Sequence, residues 1–227
     1  MITGLSFIVL TLGSYWGAKL VYKKWNIPFF SPLLIAPSAI IVVLLVGGIS
    51  YDSYNAGAKW LTEILQPATI ALAIPLYRYF PVLKKYLREI FISVLFGSTL
   101  AVMASFSLAG LVHLNKGLIS SIIPYSVTTP IAMGVSEKIG GIPAITAVFV
   151  ILTGITGLIL GPWTIRMFRF HSDIAKGILL GTSSHGAGTS KALELGSISG
   201  AVSSVCMVLA AILTFVISPW IYMHVFS

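Results

Sequence analysis

Five long apolar runs, at about residues 3–21, 32–49, 90–113, 142–165 and 199–225, constrain this chain more than any motif does. Each is long enough to cross a hydrocarbon layer as a helix, which takes roughly 20 apolar residues. In lipid every backbone polar group must be satisfied internally, so only helices and closed barrels cross. A barrel requires roughly ten-residue stretches of alternating polarity, whereas these runs are apolar all round. The expected fold class is an all-α integral membrane protein.

Composition agrees. The chain is 57% hydrophobic and 9% charged, with a mean hydropathy of +0.99, which excludes an ordinary soluble domain. Its 227 residues accommodate about seven or eight membrane segments and no sizeable soluble domain. A single polytopic membrane domain over 1–227 is therefore expected. The formal charge of +8 does not point to nucleic acid, because the cations gather in short loops beside apolar runs. These groups are Lys19, Lys23 and Lys24; then Arg78, Lys84, Lys85 and Arg88; then Arg166, Arg169 and Lys176. That is the topology signal of an inner membrane, whose basic loops stay cytoplasmic. The one cysteine, Cys206, lies in an apolar run and excludes an internal disulfide. The first run has no basic residue before it and no small-residue cleavage site after it, so it reads as a retained transmembrane helix.

Three further stretches are less regular. Residues 60–80 carry Pro67 and Pro75, which disturb a helix. Residues 118–140 hold Pro124, the run Ser126-Val-Thr-Thr-Pro130 and Gly134, closing on Gly140. Residues 174–196 contain Gly181-Thr-Ser-Ser-His-Gly-Ala-Gly-Thr189. The basic loops allow a parity test. If 19–24, 78–88 and 166–176 all face the cytoplasm, residues 118–140 must begin and end on the outer side as a re-entrant element. The alternative is a full crossing that breaks the basic-loop rule once. A short echo between Thr69-Ile-Ala-Leu72 and Thr129-Pro-Ile-Ala-Met133 suggests half-repeats of about 1–116 and 117–227. Paired interrupted segments of this kind point to a transporter.

The candidate site residues fall in these segments. Around His185, the glycines Gly186 and Gly188 let backbone leave helical geometry. The freed N–H groups, with Ser183, Ser184 and Thr189, suit a carboxylate. His185 titrates near neutral pH and would carry a coupled proton. The competing reading is a close helix contact built from small and hydroxylated residues. In the second segment Pro130 fits a first helical turn and Thr128 or Thr129 its N-cap, with Ser126 beside them. A plain helix start is the alternative. Glu137 is a second acid-base candidate at that segment's end. Lys191 and Glu194 are three apart and suit an ion pair. Gln66 and Thr69 are supporting candidates beside Pro67, and His113, His171 and His224 lie at span ends. There is no CxxC, HExxH or phosphate-cradling loop, so no cofactor or metal is expected. Gly181-Thr-Ser183-Ser superficially suits an intramembrane serine nucleophile, but no partner histidine is evident outside the span ends, and an enzyme is not expected.

Taken together, Ser126-Val-Thr-Thr-Pro-Ile-Ala-Met133, Gly140-Gly-Ile-Pro-Ala-Ile-Thr146, Gly181-Thr-Ser-Ser-His185, Ala192-Leu-Glu-Leu-Gly196 and Tyr54-Asn-Ala-Gly57 resemble the LrgB/CidB family of bacterial membrane proteins. So does Pro67-Ala-Thr-Ile-Ala-Leu-Ala-Ile-Pro-Leu76. The likeness covers nearly the whole chain. Gly134 departs from it, standing where an acid is common. The resemblance implies a multi-pass protein of the bacterial cytoplasmic membrane and two functions. One is an antiholin- or holin-like regulator of murein hydrolases and lysis, acting with a small LrgA/CidA-type partner. The other, drawn from plant relatives similar to glycolate and glycerate translocators, is a carrier of small monocarboxylates such as pyruvate. The polar broken segments favour a proton- or cation-coupled carrier with alternating access, and a homodimer is expected by analogy.

Overall fold

The computed structural model describes residues 2–25, 27, 30–71 and 73–226. The side chains of Gln66, Thr69 and His224, three positions singled out in the sequence, lie outside that description. Among the described residues the chain is all-helical: α1 (Ile2–Trp25), α2 (Pro32–Val46), α3 (Tyr51–Ala71), α4 (Ala73–Arg78), α5 (Phe80–Lys85), α6 (Leu87–Leu111), α7 (Lys116–Ile122), α8 (Thr129–Lys138), α9 (Pro143–Met167), α10 (Asp173–Leu195) and α11 (Ser197–Phe226). Four stretches, Gly4–Trp25, Leu87–Leu111, Pro143–Met167 and Ser197–Trp220, are long and apolar enough to cross a membrane. This is a multi-pass membrane protein.

The second apolar run makes a shorter helix than its length promised, with 15 residues in α2. Gly48 has a positive φ of 60°, the Ile49 N–H reaches the Leu44 carbonyl at 2.9 Å and the Gly48 N–H reaches Leu45 at 3.3 Å. This pairing of the last free carbonyls ends a helix on a glycine. Pro67, expected to disturb its segment, does not end α3, which runs on to Ala71.

The chain divides into two compact units, Met1–Ala73 and Ile74–Ser227. In the first, α1 packs on α2 and α3. A Cβ on Gly57 would come within 2.7 Å of the Gly4 Cα, so α1 and α3 touch backbone to backbone. Thr11 and Tyr54 hydroxyls bond at 2.8 Å beside that crossing.

The second unit is built on α6, α9 and α11, with α10 packed against α9 and α11. On α11 the buried face is mostly small, Val202 and Met207 apart. Ala201, Ser203, Cys206, Ala210, Thr214 and Ser218 are buried there, while Val208, Ile212, Phe215, Val216 and Trp220 are exposed. Lipid removes the drive to hide large apolar groups, and small residues allow helices to approach.

Residues 118–140 form a hairpin whose two ends meet, the re-entrant form that loop parity favoured over a full crossing. The Ile142 N–H donates to Ser121 Oγ at 2.7 Å, and a Cβ on Gly117 would lie 3.9 Å from the Gly140 carbonyl oxygen. The segment therefore starts and finishes beside the first turn of α9. Between α7 and α8 the chain reverses over 123–128, and Val127 in that turn joins a core cluster with Val94, Val150 and Val202.

Residues 173–195 form a second hairpin. α10 breaks at Ser184 (φ −138°, ψ 17°) and His185 (φ 41°, ψ −131°). A Cβ on Gly188 would stand 2.9 Å from the Leu180 carbonyl carbon, whereas a straight helix separates such residues by about 12 Å. At the base, a Cβ on Gly196 would lie 3.8 Å from Asp173 Oδ2; a straight helix would hold these ends about 34 Å apart. The arms lie side by side because Gly188 lets the Leu180 backbone close in, while Gly177 and Gly181 let the first arm sink against Ser199, Val202 and Ser203 of α11. One hairpin starts beside the first residues of α9 and the other just after its last, so they enter from opposite ends and both reach Val150. The half-repeat boundary expected near residue 116 falls within this second unit.

Candidate functional site

The tip of the second hairpin concentrates the polar groups. His185 Nε2 lies 3.0 Å from the Val150 carbonyl oxygen. The Thr189 hydroxyl donates to the His185 carbonyl at 2.9 Å, which leaves its lone pair for the Ser203 hydroxyl at 2.9 Å. Ser183 likewise donates to the Leu179 carbonyl at 2.7 Å, so Ser184 is the donor in the 3.0 Å contact between their hydroxyls. Ser184, His185 and Thr189 are buried, Ser183 is exposed and Gly186 is half-buried. Every bond here closes within the hairpin or onto α9 and α11, as a polar turn inside an apolar layer requires.

The seat for this tip is on α9. A Cβ at Gly157 would overlap Ser184, and one at Gly154 would lie 3.1 Å from His185 Cε1. Gly154, Gly157 and the Val150 carbonyl are therefore part of the site. Sequence reasoning passed over them; their signal was Gly154, Gly157 and Gly161 at helical spacing in an apolar run. Gly188 has a different role from the one expected. Its missing side chain is filled by the Leu180 backbone, so it packs the arms together rather than presenting an open backbone donor. A Cβ on Gly186 would meet nothing within 4 Å.

The first hairpin contributes its turn. Thr128 is the N-cap of α8, at φ −60° and ψ 142°, and makes no side-chain capping bond. Thr129 and Pro130 open the helix, as their order predicted. Ser126 is buried, Thr128 and Thr129 are half-buried and Pro130 is exposed. A cleft of about 390 Å³ joins the two hairpins along α9, lined by Tyr125, Thr153, Thr156, Gly157, Ser183 and Ser184 among others. The structure thus brings the Tyr125 turn and the Ser183–Ser184 break to one place.

Other candidates lie elsewhere. Glu137 is exposed near the base of the first hairpin, at the opposite end of α8 from Thr128, and the structure separates it from His185. Lys191 and Glu194 form the expected ion pair, at 2.6 Å, in the last turns of α10. Ser136, next to Glu137, instead accepts from Thr146 Oγ1 at 2.7 Å and holds α8 on α9. Among the described residues no three His, Cys, Asp or Glu gather as a metal site would need.

The model of the LrgB-like family matches residues 11–224. The Bacillus subtilis protein YwbG is 54% identical over 221 residues, 97% of this chain and 98% of that protein. A holin-like protein CidB of Staphylococcus epidermidis is 42% identical over 212 residues, 93% of either chain. A holin-like protein CidB of Staphylococcus aureus is 40% identical over 218 residues, 96% of this chain and 95% of its own. No solved structure matches. With the family's pattern running through both hairpins and every span of the second unit, the chain belongs to the LrgB-like family.

Proposed function

We propose that this protein acts as a holin-like or antiholin-like component of the bacterial cytoplasmic membrane, regulating murein hydrolase activity and lysis with a small LrgA/CidA-type partner. One observation carries the reading: relatives named holin-like protein CidB align at 40–42% identity over more than nine-tenths of the chain. The multi-pass fold agrees with an action on membrane permeability. Deletion and re-expression in a Bacillus host tests it, with zymography of released hydrolases and the rate of detergent-induced lysis as readouts. A change in both on deletion, reversed by re-expression, is expected. Identical profiles in the two strains would end the reading.

A second reading is kept because a specific observation favours it. Two polar hairpins enter from opposite ends of α9 and meet its middle stretch, and interrupted paired elements at membrane depth characterise secondary transporters. On this reading the protein carries small monocarboxylates, proton- or cation-coupled, by alternating access and as a homodimer. Thr128, Thr129, Pro130, Ser183, Ser184, Gly186 and Thr189 bind substrate and His185 couples the proton. Proteoliposome uptake of labelled pyruvate or glycolate under an imposed pH gradient tests it. Wild-type uptake that falls in His185→Ala and Thr129→Ala supports the carrier. Vesicles that take up neither acid exclude it for these substrates and leave the lysis reading intact.

A further inference from the structure

Six cations of the second unit stand at one end of its spans although they come from two distant loops. Arg78 ends α4, Lys84 and Lys85 form the last turn of α5 and Arg88 lies in the first turn of α6, while Arg166 lies in the last turn of α9 and Arg169 just after it, and all six are exposed. Among the described residues none of them takes part in an ion pair. The acid of the second loop, Asp173, is already held by Lys176 at 3.0 Å. The loops share one end because Leu83 and Tyr86 pack in the same core cluster as Ile174, Ile178 and Ile198. The Tyr79 hydroxyl also donates to Ser197 Oγ at 2.8 Å, which ties α5 to the joint between α10 and α11.

Apart from Glu89, exposed beside Arg88 in the first turn of α6, the surroundings of these cations are apolar and exposed. Tyr77 is 85% exposed, and Phe80, Leu87, Trp163, Met167 and Phe168 are exposed beside the cations in sequence. Lys85 Nζ stands 5.5 Å from the Tyr86 ring centre. Leu87 opens α6 and Met167 closes α9, so cations and rings sit where two spans leave the hydrocarbon. Aromatic rings favour that level, and Lys and Arg there reach toward headgroups. A soluble anion satisfies the cations but leaves the rim of rings and aliphatic groups unused. An amphiphile with a phosphodiester head and acyl chains satisfies both.

We propose that the end of the second unit formed by α4, α5, the start of α6 and the α9–α10 loop is a docking site for the headgroup of an anionic membrane phospholipid. The phosphate lies against Arg78, Lys84, Lys85 and Arg88, with Arg166 and Arg169 on its flank, and the acyl chains run along Phe80, Leu87 and Trp163. Through Tyr79 and Ser197 the occupied site bears on the base of the second hairpin. The inference rests on the membrane fold and is independent of whether the protein regulates lysis or carries a solute.

Native mass spectrometry of the full-length protein in detergent tests the site, with phosphatidylglycerol and phosphatidylcholine of identical acyl chains as probes. Phosphatidylglycerol is expected to bind at least about tenfold more tightly, and the triple variant Lys84→Gln, Lys85→Gln, Arg88→Gln to remove most of that preference. The control Lys23→Gln, Lys24→Gln, in the first unit, should retain it. If the triple variant does not fold, Arg166→Gln, Arg169→Gln and a salt titration of the wild type replace it, and both should lower the preference. Equal binding of the two lipids overturns the proposal. So does a preference that survives the variants, or displacement of phosphatidylglycerol by millimolar inorganic phosphate, which would mark a site for a soluble anion.

Discussion

His185 Nε2 and the carbonyl oxygen of Val150 lie 3.0 Å apart across 35 positions of sequence. A carbonyl oxygen only accepts, so Nε2 carries the proton and the imidazole pins the hairpin tip to the span. The pin offsets a backbone cost. At φ 41° His185 occupies a region that suits glycine, at a cost of about 1–3 kcal/mol for other residues.

Two substitutions separate these effects. His185→Ala keeps the strained backbone and loses the imidazole bond; His185→Gly loses the bond and relieves the strain. The glycine variant should be more stable than the alanine variant by about 1 kcal/mol. Denaturant unfolding in detergent micelles measures the order, and an alanine variant at least as stable as the glycine one would remove the claim of strain.

The reversal of α10 has a direct chemical test. In a Cys206→Ala background, Asp173→Cys with Gly196→Cys should form a disulfide under mild oxidation. The base of the hairpin holds these positions close, whereas a continuous helix would separate them by about 34 Å. Thiol titration and a mobility shift report the bond, and its absence would favour a straight crossing.

Each hairpin returns to the side it left. Lys116→Cys and Lys138→Cys, made singly, should label with a membrane-impermeant maleimide from one face of sealed vesicles, and Asp173→Cys and Glu194→Cys from the other. Labelling of Lys116→Cys and Lys138→Cys from different faces would convert the first hairpin into a full crossing.

The seat on α9 predicts a contrast between two glycines. Gly157→Ala places a methyl where Ser184 stands, and overpacking there should cost about 1–3 kcal/mol and lower function. Gly134→Ala meets open space in α8 and should be neutral or stabilising by up to about 1 kcal/mol, as alanine usually is in a helix. Thermal melts of the two purified variants decide it; equal losses would mean that Gly157 is no seat.

Two local features are legible in the sequence because they rest on neighbours in the chain. Thr128 takes the N-cap position of α8 because Pro130 follows in its first turn, and Lys191 meets Glu194 because they are three apart on one helix. Glu137 was harder. Its place beside Ser136 says nothing of which end of α8 faces the tip, and α8 carries it to the base.

The apolar runs by themselves determined helices in a membrane, since a backbone in lipid has few other ways to satisfy its polar groups. The basic loops favoured a return of residues 118–140 to their starting side over a full crossing that breaks the basic-loop rule once. Only the tertiary structure decided that α10 turns back at Ser184–His185. That turn depends on the Val150 carbonyl, the notch at Gly154 and Gly157 and the Ser203 hydroxyl. These partners come from α9 and α11, and nothing within 174–196 specifies them. A polar, glycine-broken stretch can bend in several ways, and the one it adopts gives buried Ser184, His185 and Thr189 their partners.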